Sequence, residues 1–72
     1  MQKWEYCAIK TDAGLKYFRA EGGHTIEKYE EKNIDVVHRS IAQLGSDGWE
    51  LVSHSTLPDG SGVYYFKRPQ SR

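Results

Sequence analysis

The stretch Gly45–Val52, GSDGWELV, decides the fold, because two glycines bracket a short turn and a tryptophan then opens an apolar run. In the segment 33–44 before it, apolar residues recur at the spacing i, i+3, i+7 and i+10, which predicts one stripe of an α-helix. Gly45 is predicted to end that helix, and Trp49 to begin the next strand. The glycines therefore follow a helix, whose carbonyl end repels phosphate, so the stretch predicts a structural corner and not a phosphate-binding loop.

Three other segments have the β-branched and aromatic composition of strands: KWEYCAIKT at 3–11, LKYFRA at 15–20 and VYYFKR at 63–68. Turn residues at 12–14 predict a β-hairpin across 3–20. The run PDGSG at 58–62 predicts a second turn, which joins the strand that begins at Trp49 to the last strand.

The polar segment EGGHTIEKYEEK at 21–32 separates the first hairpin from the helix. It predicts either a mobile insertion or a short helix that Thr25 would cap. The predicted order is then β-β-α-β-β over residues 1–68, with a disordered tail at 69–72. We therefore expect an α+β domain with an antiparallel sheet of about four strands and one helix packed on one face. The expected core residues are apolar and lie on the helix stripe or on the strands: Trp4, Tyr6, Ile34, Val37, Ile41, Leu44, Trp49, Leu51 and Phe66.

The composition limits both the stability and the partners of the chain. A chain of 72 residues buries a small core, so we expect a further source of stability. Cys7 is the only cysteine, which excludes an intrachain disulfide and favours a reducing, cytoplasmic setting. Lys plus Arg and Asp plus Glu both number 10, so no global field attracts nucleic acid or a membrane. Association with a second copy is the source of stability that this composition favours.

Three motifs carry a family resemblance: KWEY at 3–6, LGSDGWELVS at 44–53 and YYFKRP at 64–69. In this order they resemble a family of short bacterial domains of unknown function. Its members begin with Trp-Glu-Tyr, carry Gly-x-x-Gly-Trp-Glu-Leu-Val at the centre and end with Tyr-x-Phe-Lys-Arg. The resemblance spans nearly the whole chain. It implies no activity and no catalytic residues, and Cys7 departs from it at a position where such sequences carry a polar residue.

Strand alternation predicts two different faces of the sheet. With Trp4, Tyr6 and Phe66 toward the helix, the opposite face becomes more apolar than a solvated face normally is. We therefore expect this face to bind a second copy, a dimer being favoured, or another partner. The alternative is that the polar segment 21–32 folds back over it. The residues predicted on this face are Cys7, Ile9, Val52, His54, Val63, Tyr65 and Lys67.

Two kinds of ligand compete with self-association. A small molecule or nucleotide can lie in a cleft between subunits, where Lys16, Arg19 and Arg68 would contact an anion. Single-stranded nucleic acid is a third interpretation, because Tyr64–Arg68 places aromatic side chains beside basic ones. The zero net charge of the chain disfavours that third interpretation.

No catalytic site, metal site or cofactor is predicted. His24, His38 and His54 have no second ligand at the spacing that zinc sites use. Ser53 and Ser55 flank His54 in a predicted strand, where neighbouring side chains point to opposite faces, so a serine hydrolase is disfavoured. We therefore expect a non-catalytic binding module.

Overall fold

The computed structural model of the chain describes residues 1–12, 17–29 and 34–70. Within these residues the chain forms five strands and one helix. The elements are β1 (Trp4–Thr11), β2 (Tyr17–Glu21), β3 (His24–Tyr29), α1 (Ile34–Ser46), β4 (Glu50–Thr56) and β5 (Gly62–Pro69). The strands form one antiparallel sheet in the order β3-β2-β1-β5-β4. The predicted α+β class is therefore confirmed.

The additional strand is β3, which lies in the segment predicted as an insertion or a short helix. Gly22 and Gly23 join β2 to β3 with φ angles of 57° and 85°. Two successive residues with positive φ make a type I′ turn, whose twist suits an antiparallel hairpin. The prediction of about four strands is short by one, because this Gly-Gly pair is a hairpin turn and not the start of a loop.

The predicted hairpin over 3–20 is confirmed in its strands, since β1 pairs with β2. The turn predicted at 12–14 lies, apart from Asp12, outside the described residues. At the other end of the sheet, Pro69 is the last residue of β5, and the Gln70 amide donates to the Lys3 carbonyl at 2.8 Å. Two of the four residues predicted as a disordered tail are therefore part of, or bonded to, the sheet, and 71–72 lie outside the described residues.

The left-handed residue that follows the helix lies three positions later than the sequence predicts. Gly48 is the residue in the left-handed region, with a φ of 90°, whereas Gly45 lies inside α1. The Trp49 amide donates to the Leu44 carbonyl at 2.9 Å, and the Gly48 amide donates to the Gly45 carbonyl at 3.1 Å. Together these two bonds form a Schellman motif. The prediction that Gly45 closes the helix is therefore wrong, and Gly48 makes the reversal.

One buried cluster contains side chains from the helix and from the strands. Cys7 lies directly opposite Phe66 on the neighbouring strand, so the two share a face of the sheet, which we call the core face. The predicted core residue Ile41 is half-buried against the cluster, and the side chain of Ile34 lies outside the described part. The buried members are Cys7, Ile9, Tyr17, Val37, Leu44, Trp49 and Phe66.

The alternation in β1 is opposite to the prediction. Cys7 and Ile9 are buried, whereas Trp4 is 39% and Tyr6 is 61% exposed. Both alternating sets in β1 are apolar, so pairing with β5 decides which set enters the core. Leu51, also predicted in the core, is 49% exposed on the edge strand β4. None of the described helices is long and apolar enough to cross a membrane.

Candidate binding face of the sheet

The face opposite the core face is built from alternating residues of all five strands. Ala8 lies directly opposite Ala20 on one side and Tyr65 on the other, so these three side chains form one row. Lys10 and Phe18 belong to the next row. We call this surface the aromatic face. Its described members include Trp4, Tyr6, Ala8, Lys10, Phe18, Ala20, Lys28, Glu50, Val63, Tyr65 and Lys67.

A groove of about 670 Å³ opens on the aromatic face. Trp4, Tyr6 and Tyr65 line it, and they are 39%, 61% and 46% exposed. Ala8 and Ala20 also line it side by side, and their methyl groups leave a low floor between the larger rings. A planar apolar group can therefore lie against the sheet and contact aromatic side chains.

Lysine side chains are interleaved with the rings of the aromatic face. Lys67 Nζ lies 4.2 Å from the centre of the Trp4 ring, and Lys28 Nζ lies 5.6 Å from the centre of the Phe18 ring. Lys10 is exposed and lines the groove. Among the described residues of this face, Glu50, opposite Lys67, is the one acidic group. Glu5 and Glu21 also line the groove, from the core-face side of their strands, and Glu5 pairs with Arg68. A neutral chain thus carries a positively charged aromatic surface.

The edge strand β4 has an exposed apolar surface of its own. All seven of its residues are exposed. Leu51 and Val52 are 49% and 54% exposed, and Leu57, just after the strand, is 61% exposed. Val52 is the extra residue where the register with β5 shifts between Leu51 and Ser53. We call Leu51, Val52 and Leu57 the β4 edge.

Two of the residues predicted on the partner surface belong to the core. Cys7 and Ile9 are 2% and 0% exposed, so their predicted place on an open face is wrong. Burial raises the pKa of the Cys7 thiol, against the opposing effect of a hydrogen bond with Arg19. Because a protonated thiol is a poor nucleophile, Cys7 is placed for packing and not for reaction.

The arginines predicted to contact an anion also lie on the core face. Arg19 is opposite Ile9 and hydrogen-bonds Cys7. Arg68 donates from Nε to Glu5 Oε1 at 2.5 Å and from one terminal nitrogen to the Asp47 carbonyl at 2.9 Å. Its guanidinium also lies 4.3 Å from the centre of the Trp49 ring. Arg68 therefore fastens the end of the helix to the sheet, and Lys16, the third predicted anion contact, lies outside the described residues.

The remaining predicted residues are divided between the surfaces. Val63, Tyr65 and Lys67 lie on the aromatic face, at the β5 positions that alternation predicts. His54 is instead opposite Tyr64 on the core-face side, with ring centres 4.0 Å apart and planes 5° from parallel. The register shift at Val52 explains this, because it reverses the alternation along β4.

Sequence reasoning missed several residues of the aromatic face, above all Trp4, Tyr6, Ala8 and Ala20. The available signal was the Gly-Gly pair at 22–23, which marks a two-residue hairpin turn. That turn fixes the pairing of β2 with β3, but it leaves the register between β1 and β5 undetermined. The exposure of Trp4 and Tyr6 could therefore not be deduced from local pattern alone.

Comparisons with protein-family models, with curated proteins and with solved structures found no significant match to this chain. The resemblance to short bacterial domains of unknown function therefore stays a prediction. In the described part of the chain, no three His, Cys, Asp or Glu side chains come together as metal ligands. The three histidines lie apart in sequence on β3, α1 and β4.

Proposed function

We propose that the protein is a non-catalytic, cytoplasmic binding module that forms a dimer and presents its aromatic face to a ligand. The observation that carries the self-association is the exposure of β4, in which all seven residues face solvent. A small core favours a stabilising partner, and a second copy supplies one. The sequence predicts self-association through the open face of the sheet, and we now assign it to the β4 edge.

The β4 edge suits a second copy because an edge strand offers main-chain N–H and C=O groups for pairing. Residues 51–56 of β4, LVSHST, contain no Lys, Arg, Asp or Glu, and Glu50 at the start of the strand is its one charged residue. The other edge strand, β3, carries Glu27 and Lys28, and charges of this kind discourage pairing between edges. Two copies joined antiparallel through β4 would continue one sheet and bring their Leu51 and Val52 side chains together.

Electrostatics disfavour dimerisation through the aromatic faces. Two aromatic faces brought together would place the lysines of both copies in one interface. Like charges in contact destabilise an interface, and Glu50 alone does not balance the three lysines of this face. Edge-to-edge association avoids this repulsion and leaves both aromatic faces open.

The test is the mass of the protein in solution, by sedimentation, over a roughly hundredfold concentration range. We expect a dimer for the wild type and a shift toward monomer for Val52→Lys, because a lysine at the β4 edge repels its symmetry mate. Ile26→Lys is the matched control. Ile26 is 51% exposed, against 54% for Val52, and is likewise the extra residue at a register shift in an edge strand. A wild type that stays monomeric at tens of micromolar contradicts the proposal, as does equal dissociation of both variants.

The groove favours ligand binding as the role of each copy, because it lies within a single chain. A ligand should therefore raise the melting temperature at fixed protein concentration. Dimerisation alone should make the melting temperature rise with protein concentration. If the melting temperature responds only to protein concentration, the module serves association and not ligand binding.

A further inference from the structure

We infer that the aromatic face binds single-stranded nucleic acid, with bases stacked on Tyr6 and Tyr65 and phosphates held by Lys10 and Lys67. The inference rests on the proposed function in one respect, since edge-to-edge association keeps this face uncovered. In the sequence, the zero net charge disfavours nucleic-acid binding. In the folded chain, charge is distributed unevenly between the surfaces, so net charge no longer decides against it.

Stacking is the first requirement, and the exposed rings meet it. Tyr6 and Tyr65 are 61% and 46% exposed on adjacent central strands. Tyr65 lies opposite Ala8, two residues along β1 from Tyr6, so the two tyrosines are diagonal neighbours whose Cα atoms are roughly 7–8 Å apart. Each ring can therefore take its own base, while the alanine floor leaves room beside them. Every base has a π-face, so such a platform tolerates many sequences.

Phosphate contact is the second requirement, and the lysines meet it. Lys10 lines the groove, and Lys67 lies beside Tyr6 with its ammonium group over the Trp4 ring. Of the two carboxylates that also line the groove, Glu5 is paired with Arg68, and Glu21 belongs to the core-face side of β2. An ammonium group held near a stacked base is close to the phosphate that the base carries. A double helix hides the faces of its bases, so this surface selects single strands.

The test is a titration of the wild-type protein with a fluorescently labelled oligothymidylate at low salt, read by anisotropy. Tryptophan fluorescence gives a second readout, because Trp4 is exposed at the groove whereas Trp49 is buried. Tyr65→Ala and Tyr6→Ala should each weaken binding by roughly tenfold or more, the effect of losing one stacked base. Both side chains lie outside the buried cluster, so removing them leaves the core intact.

The lysine contribution is read from the salt dependence. Lys67→Gln should lower the slope of log K against log salt by about 0.7, the value for one phosphate contact on a single strand. Arg39→Gln is the matched control, because it also removes one positive charge but lies on the exposed side of α1. An equal change in both variants would mean that net charge and not the aromatic face holds the oligonucleotide, which would overturn the inference.

Three other results would also overturn it. They are no binding of the oligothymidylate at low salt, binding that the tyrosine variants do not weaken, and equal affinity for a duplex. Adenosine monophosphate bound as tightly as the oligonucleotide would identify a mononucleotide site instead of a strand-binding surface. Sedimentation of the same samples separates this inference from the dimer: a monomer that binds the strand refutes only the dimer, and a dimer that does not bind it refutes only the inference.

Discussion

The chain contains the pair Trp-Glu twice, and the structure uses the two copies in opposite ways. Trp4 is 39% exposed on the aromatic face, whereas Trp49 is 5% exposed in the core. Each ring has a cation beside it, Lys67 for Trp4 at 4.2 Å and Arg68 for Trp49 at 4.3 Å. The two differ in their backbone setting. Trp4 is paired with Pro69 in the sheet, whereas the Trp49 amide takes part in the Schellman motif and donates to the Leu44 carbonyl. The helix cap before it, and not the Trp-Glu pair itself, distinguishes the buried Trp49 from the exposed Trp4.

The largest expected difference is between the two tryptophan-to-alanine variants. Trp49→Ala should cost about 3–5 kcal/mol, because it leaves a cavity in the buried cluster. A domain of this size has only about that much stability in total, so this variant should be unfolded. Trp4→Ala should cost about 1 kcal/mol or less, because the ring is on the surface. Urea unfolding of both variants checks the comparison, and a near-native curve for Trp49→Ala would show that the two rings are equivalent.

The next effect concerns the cap that directs Trp49 inward. Gly48 has a φ of 90°, where a Cβ is strained, so Gly48→Ala should cost about 1–2 kcal/mol. Thermal unfolding measures this loss. An unchanged melting temperature would mean that the backbone turn does not depend on glycine and that something else places the indole.

Gly45 supplies the matched control for that cap. It is helical, and a Cβ built on it would meet nothing within 4 Å. Gly45→Ala should therefore raise stability by about 0.4–1 kcal/mol, since it removes freedom from the unfolded chain without a clash. Opposite signs for the two glycines are the expected result. A loss of stability for Gly45→Ala would indicate that the helix ends at Gly45.

The smallest effect compares the two cations. Arg68→Met removes the contacts with Glu5, Asp47 and the Trp49 ring, whereas Lys67→Met removes a cation over an exposed ring. We expect a drop in melting temperature on the order of a few degrees for Arg68→Met, and a smaller one for Lys67→Met. Equal drops would mean that the cation–π contact, which both variants lose, accounts for the loss of stability. The bonds from Arg68 to Glu5 and Asp47 would then contribute nothing measurable.

Part of this architecture could be predicted from the sequence. The apolar stripe correctly predicted which face of the helix is buried, because Val37 and Leu44 are buried as their spacing indicates. The alternation along β5 also correctly predicted the two faces of that strand, since Phe66 is buried and Tyr65 is exposed. Prediction failed in β1, where Trp4, Tyr6, Cys7 and Ile9 offer two apolar alternations and only long-range pairing chooses between them.

The candidate site shows the same limit. Val63, Tyr65 and Lys67 were predicted on the open face because β5 alternates without interruption. His54 was misplaced because a register shift has no clear signal in the sequence of an edge strand. The positive charge of the aromatic face is likewise hidden in a neutral composition, since it arises only when strands bring lysines together.

The pairing of β1 with β5 at the centre of the sheet divides the chain into two contiguous pieces, β1–β3 and α1–β5. The first supplies Cys7, Ile9 and Tyr17 to the buried cluster, and the second supplies Val37, Leu44, Trp49 and Phe66. Each piece alone therefore lacks part of the one buried cluster. The two pieces, made as separate peptides, should therefore be unfolded alone and regain structure on mixing, which circular dichroism would detect. The two pieces are joined covalently only between β3 and α1. Cleavage of the chain there should convert folding into a bimolecular reaction.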